Sequence, residues 1–120
     1  MSTSDTNKAN LLDLLDAMGK GQLMAAFDKY YAEDVVMSEN GEADPTRVGK
    51  AANRAYEQAF VDNAKWNGAK VGPILADGDH TAYEMWMDFH YGEYHIVRTQ
   101  LALQTWKDGQ IVKETFYYKA

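Results

Sequence analysis

Ionisable and amide side chains alternate along the C-terminal half of the chain at the two-residue period that gathers side chains on one face of a strand. Between Thr81 and His90 the set is Glu84, Trp86, Asp88 and His90. Between Tyr94 and Trp106 it is Arg98, Gln100, Gln104 and Trp106, and in the last apolar run it is Glu114, Phe116 and Tyr118. Carboxylates held beside aromatic and amide groups could move protons, because removal from water lifts a carboxyl group towards the pH at which general acid–base chemistry works. Glu114 lies between Val112 and Phe116; as a buried acid it would need a partner, and Arg98 is the one expected. Glu39 stands beside the Asn40–Gly41 turn. It reads either as a turn residue bonded to its own loop or as a carboxylate at a pocket mouth. Asp88 and His90 could orient one another, although a histidine next to a turn is more simply exposed. His80 and His95 receive no role.

Other chemistries find no residues to carry them. The chain has 120 residues, no Cys and a net charge of −6. Thiolate nucleophiles, disulfide staples and Cys-ligated zinc are thereby excluded. Nucleic acid, whose phosphates need a basic surface, is not an expected partner. No metal is expected, since the His and acid spacings match no ligand motif. Phosphate loops, nucleophile elbows and dinucleotide fingerprints are absent, and no cofactor is expected. The apolar runs are far shorter than a bilayer span, and the polar start from Met1 to Asn10 does not resemble a signal peptide. No membrane association is expected, and a cytoplasmic location is.

The elements that must position these groups follow from periodicity. Residues 1–7 are small and polar and are expected to be disordered. Leu11, Leu12, Leu14, Leu15 and Met18 give a first helix, stopped by Gly19 and Gly21. Leu23, Met24, Phe27, Tyr30 and Tyr31 give a second, ending near Ala32–Asp34, and Val35–Met37 read as a short strand. Ser38 to Gly49 is a loop broken by Asn40–Gly41 and Asp44–Pro45. Lys50 to Ala64 is a third helix with Ala52, Tyr56, Ala59 and Phe60 inward, and Asn63 to Gly68 is its exit. Strands follow at Val71–Ala76 (kinked or set at an edge by Gly72–Pro73), Thr81–His90, Tyr94–Trp106 and Ile111–Tyr118, with turns at Asp77–Gly78, Tyr91–Gly92 and Asp108–Gly109. Helices first and strands after, in one domain of this length, make an α+β fold with a mainly antiparallel sheet.

Each strand then has two faces. Tyr83, Met85, Met87 and Phe89 share one, and Val97, Leu101 and Leu103 belong to an equally apolar set on the next strand. Periodicity leaves two arrangements open. Either the apolar face is the core and the mixed face is wet, or the mixed face lines a cavity and something else covers the apolar one.

Three segments carry a resemblance: YYAEDVVMSENGE from Tyr30, VGKAANRAYEQAF from Val48 and WKDGQIVKETFYY from Trp106. Together they resemble the SnoaL-like branch of the nuclear transport factor two-like superfamily over nearly the whole chain. The resemblance implies a cone, with a strongly curved sheet wrapped around three helices, a deep pocket at the open end, and a homodimer through the outer sheet face. It puts Glu84, Trp86, Asp88, His90, Arg98, Gln100, Gln104, Trp106, Glu114, Phe116 and Tyr118 in the pocket, with Tyr30, Tyr56 and Phe60 as aromatic walls. Tyr83, Met85, Met87, Phe89, Val97, Leu101 and Leu103 then form the dimer face. The ketosteroid isomerase branch aligns Glu39 with its general base. Its two oxyanion donors have no counterpart here, since the matching positions fall among Leu11–Leu15 and on Ala102. Two functions follow. One is a cofactor-independent isomerase, cyclase or hydratase moving protons on a small hydrophobic carbonyl compound, with Glu39 and Glu114 as its catalytic acids. The other is a non-catalytic small-ligand-binding or dimeric structural domain of the same fold.

Overall fold

In the computed structural model, which describes residues 2–42 and 46–119, helix α1 runs from Thr3 to Gly19. The expected disorder of the first residues is corrected from residue 2 onward. Ser2 caps α1 by accepting from the Asp5 N–H, Asn7 is buried and donates to the Gly78 carbonyl at 3.1 Å, and Ser4 accepts from the Gly78 N–H. These contacts satisfy free groups at the helix start and the strand turn together. Leu11 and Leu14, one turn apart, carry the buried stripe. The helix ends at Gly19, and Gly21 turns the chain with φ near +73°.

Helix α2 spans Leu23–Tyr30 and buries Ala26, Phe27 and Tyr30. It stops earlier than its sequence suggests, because Tyr31 opens strand β1 (Tyr31–Glu39), which pairs in parallel with the last strand from Tyr31 opposite Ile111 to Glu39 opposite Phe116. A 3-10 turn (Asn40–Glu42) and a short strand β2 (Arg47–Val48) occupy part of the segment read as loop, whose Asp44–Pro45 signal lies outside the described residues. Helix α3 is Lys50–Asn63. Its inward face is rotated from the expected one. Asn53 is fully buried while Ala52 and Ala59 are exposed, and Asn53 donates to the carbonyls of Arg47 and Gly49 at 3.1 and 2.8 Å.

The remaining strands are β3 (Ala64–Asp77), β4 (His80–Tyr91), β5 (Tyr94–Lys107) and β6 (Gln110–Tyr118). The sheet order is β2-β1-β6-β5-β4-β3, antiparallel except for β1 against β6. No exit loop follows α3, because β3 begins at Ala64 and pairs at once with Tyr91. As Gly72–Pro73 suggests, β3 is the edge strand and its register shifts there. Asp108 and Gly109, both with positive φ, make the tight β5–β6 turn. The helices cover the inner face of the sheet, and Leu11, Leu14, Phe27, Val35, Met37, Phe89 and Ile111 meet there in one core.

The face of β4 is opposite to the one the resemblance implied. Tyr83, Met85, Met87 and Phe89 are buried inside, and Glu84, Trp86, Asp88 and His90 lie on the outer face, with Trp86 41% exposed. The cause is the β4–β5 turn. Tyr91 faces Tyr94 across Gly92 and Glu93, so an odd-numbered residue on β4 always faces an even-numbered one on β5, as Met85 faces Gln100 and Met87 faces Arg98. Residues opposite one another share a face. With Arg98 and Gln100 inward, Met85 and Met87 must be inward too. Four of the seven residues assigned to an outer dimer face therefore belong to the core, while Val97 and Leu101 are exposed and Leu103 is partly so.

Candidate active site

Across β5 and β6 a bulge between Thr105 and Trp106 restores the parity lost at the two-residue turn, so Gln104 faces Glu114 and Ala102 faces Phe116. Glu114 thereby points inside, 1% exposed. Its Oε2 accepts from Gln104 Nε2 at 2.7 Å, and its Oε1 accepts from the Tyr31 hydroxyl at 2.5 Å. Gln104 in turn accepts from Thr81, and Thr81 accepts from the Trp106 indole N–H. Each member of this buried chain has a partner, as buried polar groups require. The expected ion pair between Glu114 and Arg98 is absent among the described residues; Tyr31 and Gln104 take its place. Burial lifts the Glu114 carboxyl to about 7 against the lowering effect of both hydrogen bonds.

Glu114 lines a cavity of about 120 Å³. Its other polar walls are Glu39 from the end of β1, Tyr31, Tyr83 from β4, Arg98 and Gln100 from β5, and Tyr56 and Glu57 from α3. Glu39 is held by Arg47 at 2.9 Å, both side chains largely buried. The Arg47 guanidinium also donates to Asn53 and stacks at 3.7 Å on the Tyr56 ring. Asn53 thus fixes the β2 segment that carries the cation facing Glu39.

Glu57 is the acid that sequence reasoning missed. It is one turn of α3 beyond Asn53 and one before Phe60, and that spacing was its available signal. Burial, then the Glu114 charge, raise its carboxyl to about 7, while Arg47 opposes the rise. Among the described residues no group donates a hydrogen bond to Glu57. Tyr83 is 3% exposed, and its hydroxyl likewise has no hydrogen-bond partner among the described residues. Burial and the Glu114 and Glu57 charges push that phenol far above its ordinary value, so it stays a proton donor. Burial also raises Tyr31 and Tyr56. The side-chain atoms buried without a partner among the described residues are Arg47 Nη2 and Arg98 Nε, so the Tyr83 oxygen opens to the cavity, where a ligand group could meet it.

The cavity opens beside an apolar cleft of about 840 Å³ between the α1–α2 junction and β3. Met18, Leu23, Phe60, Trp66 and Met85 line both spaces. Phe60 stacks edge-on against Trp66 and Phe89.

Of the candidate residues named from sequence, the structure brings Glu39, Glu114, Tyr56, Phe60, Arg98, Gln100 and Phe116 to the cavity. Gln104 and Trp106 are in the buried chain behind it. Tyr30 packs on Trp106 with its hydroxyl on Asp13, away from the cavity, and its neighbour Tyr31 reaches in instead. Tyr118 lies under the Arg98 guanidinium at 4.0 Å. Glu84, Trp86, Asp88 and His90 are outside, where Trp86 covers Gly68 and His90 stacks on His95 at 4.4 Å. Among the described residues no group of His, Asp or Glu side chains could hold a metal ion, and no helix is long and apolar enough to cross a membrane.

Comparison with known proteins gives a consistent picture. The SnoaL-like domain profile matches residues 11–114. A proposed SnoaL-like polyketide cyclase from Mesorhizobium loti superposes with a TM-score of 0.81 at 26% identity, over 98% of this chain and 100% of that one. An epoxide hydrolase of the LEH-like type from M. tuberculosis superposes at 0.79 with 16% identity, over 97% of this chain and 84% of that one. A proposed ketosteroid isomerase from Kribbella flavida superposes at 0.76 with 19% identity, over 100% and 82%. No curated protein sequence matches the chain significantly.

Proposed function

Because this chain belongs to the SnoaL-like domain family, whose cone it adopts, we propose that the cavity is the active site of a cofactor-independent enzyme. It transfers protons on a small hydrophobic carbonyl compound, in an isomerisation, cyclisation or hydration. The observation that carries this reading is Glu57: a carboxyl poised near neutral pH, without a hydrogen-bond partner among the described residues, on the wall of a cavity that also holds the unpartnered Tyr83 hydroxyl.

The roles follow from the chemistry of each group. Ionised Glu57 takes the proton from the carbon beside the carbonyl, since a base with a pKa near the working pH combines ionisation with driving force. The developing oxyanion is met by the Tyr83 hydroxyl, a fixed donor in a site poor in water. Glu114 and Tyr31 form the acid pair behind it: when Glu114 is protonated it can donate to the Tyr31 oxygen, freeing the Tyr31 proton for the cavity. Glu39, balanced by Arg47, shapes the field; this moves the general-base role from Glu39 to Glu57. The apolar cleft accepts the body of the substrate.

The test needs no prior substrate. A panel of cyclic ketones, aryl ketones and 3-oxo esters is incubated with the protein in D₂O at pH 7, and loss of the α-proton signal is followed by NMR. Exchange above the buffer rate is expected for at least one class, and Glu57→Gln should slow it by about 10²–10⁴-fold, the usual contribution of a general base. Exchange as fast in Glu57→Gln as in the wild type removes Glu57 from the mechanism. No exchange with any class leaves the alternative, a ligand-binding domain of the same fold.

A further inference from the structure

We propose that Arg98 is an anion-binding residue of the cavity, so that the ligand is an apolar oxo acid with its hydrocarbon body in the cleft and its carboxylate on the Arg98 guanidinium. The substrate class rests on the proton-transfer reading above; the anion subsite itself rests on Arg98. Among the described residues lining the cavity, Arg98 is the one cation. It has no carboxylate partner there, and its Nε is buried without a hydrogen bond. Its guanidinium lies over the Tyr118 ring at 4.0 Å and further from the Phe89 ring, at 5.8 Å. Stacking fixes the plane of the fork and leaves its edge free, which is how arginine presents itself to a carboxylate.

Arg98 is partly buried with its Nε out of reach of any partner, and a cation partly withdrawn from water with no counter-ion favours an anion that arrives from outside. The charges around it allow one. Glu39 is already balanced by Arg47, and burial keeps the Glu57 and Glu114 carboxyls protonated up to about neutral pH. Gln100, next along the same face of β5, adds an amide beside the guanidinium. The carbonyl of an oxo acid would then reach the Glu57 and Tyr83 end while its carboxylate stays at the β5 wall.

Calorimetric titration with a matched pair, 2-naphthylacetate and 2-naphthylacetamide, tests the subsite. The wild type should bind the carboxylate about tenfold or more tightly than the amide, the scale of a charge-assisted hydrogen bond over a neutral one. Arg98→Met should erase that preference while amide binding persists, and Arg98→Lys should keep part of it. Equal affinities in the wild type, a preference that survives Arg98→Met, or no binding of either probe overturns the proposal. If Arg98→Met does not fold by circular dichroism, the wild-type comparison and Arg98→Lys decide. Glu57→Gln separates the two readings, because it should abolish deuterium exchange and leave the carboxylate preference in place. Exchange that persists in Glu57→Gln therefore counts against the catalytic reading alone, and a missing carboxylate preference in the wild type counts against Arg98 alone.

Discussion

Glu57 and Glu114 carry the same buried charge problem and solve it differently. Glu114 is satisfied by Tyr31 and Gln104, whereas Glu57 has only the open cavity. A carboxyl that a cavity holds near pH 7 is a stability cost at high pH, so Glu57→Gln should stabilise the fold at pH 8 and leave it nearly unchanged at pH 5. Thermal denaturation at the two pH values measures this; destabilisation at pH 8 would mean that Glu57 makes a structural bond. Tyr83→Phe should lower turnover on the best substrate about 10–10²-fold with little change in stability, because its hydroxyl has no protein partner to lose among the described residues. Glu114 was legible as an inward acid between Val112 and Phe116. Glu57 was not, because Tyr56 and Phe60 on the same helix drew its apolar stripe one position away, and periodicity weighs an aromatic above a carboxylate even where the latter faces a cavity.

At the scale of elements, strand parity decides which residues can do chemistry. Two hairpins with two-residue turns flank β5. The β4–β5 pair is regular, so Met85 and Met87 share the inner face with Arg98 and Gln100. The β5–β6 pair is bulged, so Glu114 joins Gln104. The sequence marks a turn at Tyr91–Gly92 but not its length, and the observed turn at Gly92–Glu93, with Tyr91 facing Tyr94, sets the pairing. The bulge left no mark in residue type. Met87→Asp should therefore unfold the protein or cost about 3 kcal/mol or more, while Trp86→Ser, on the outer face of the same strand, should cost far less. Urea titrations of both variants check the assignment, and the reverse order would mean that β4 is turned over. Asn53 is the corresponding device on α3. Asn53→Ala would remove the side-chain donor to the Arg47 carbonyl and the acceptor of the Arg47 Nε–H, while Gly49 keeps the backbone bond from residue 53, at a cost of about 1–3 kcal/mol.

For the molecule as a whole, periodicity and turn chemistry supported an α+β fold with helices before strands, and the resemblance supplied the cone. Long-range pairings carried the rest. The parallel β1–β6 ladder pulls Tyr31 out of α2 and into the cavity, and no local signal marks it. The two raised carboxyls also set the pH dependence of folding. Each binds its proton more tightly folded, near 7, than at its ordinary value of 4.5. The folded state therefore holds more protons in that window, and stability should fall as pH rises from about 5 to about 7 and level off above. Denaturation at fixed intervals from pH 5 to pH 8 tests the sign, and stability rising across the window would contradict it. Outside the cone, Trp86, Val97 and Leu101 lie exposed on one sheet face. The proposal that two copies pair through this face predicts a dimer by sedimentation equilibrium and a monomer for Leu101→Lys; a wild-type monomer would set it aside.

Glu57, as a proton-transfer group, works near neutral pH. A carboxyl ¹³C titration of glutamate-labelled protein, with Glu57→Gln to assign the resonance, measures it directly. A midpoint near 7 is expected for the signal that disappears in the variant. A midpoint at the ordinary glutamate value of 4.5 would place Glu57 in contact with water and remove it from proton transfer at neutral pH.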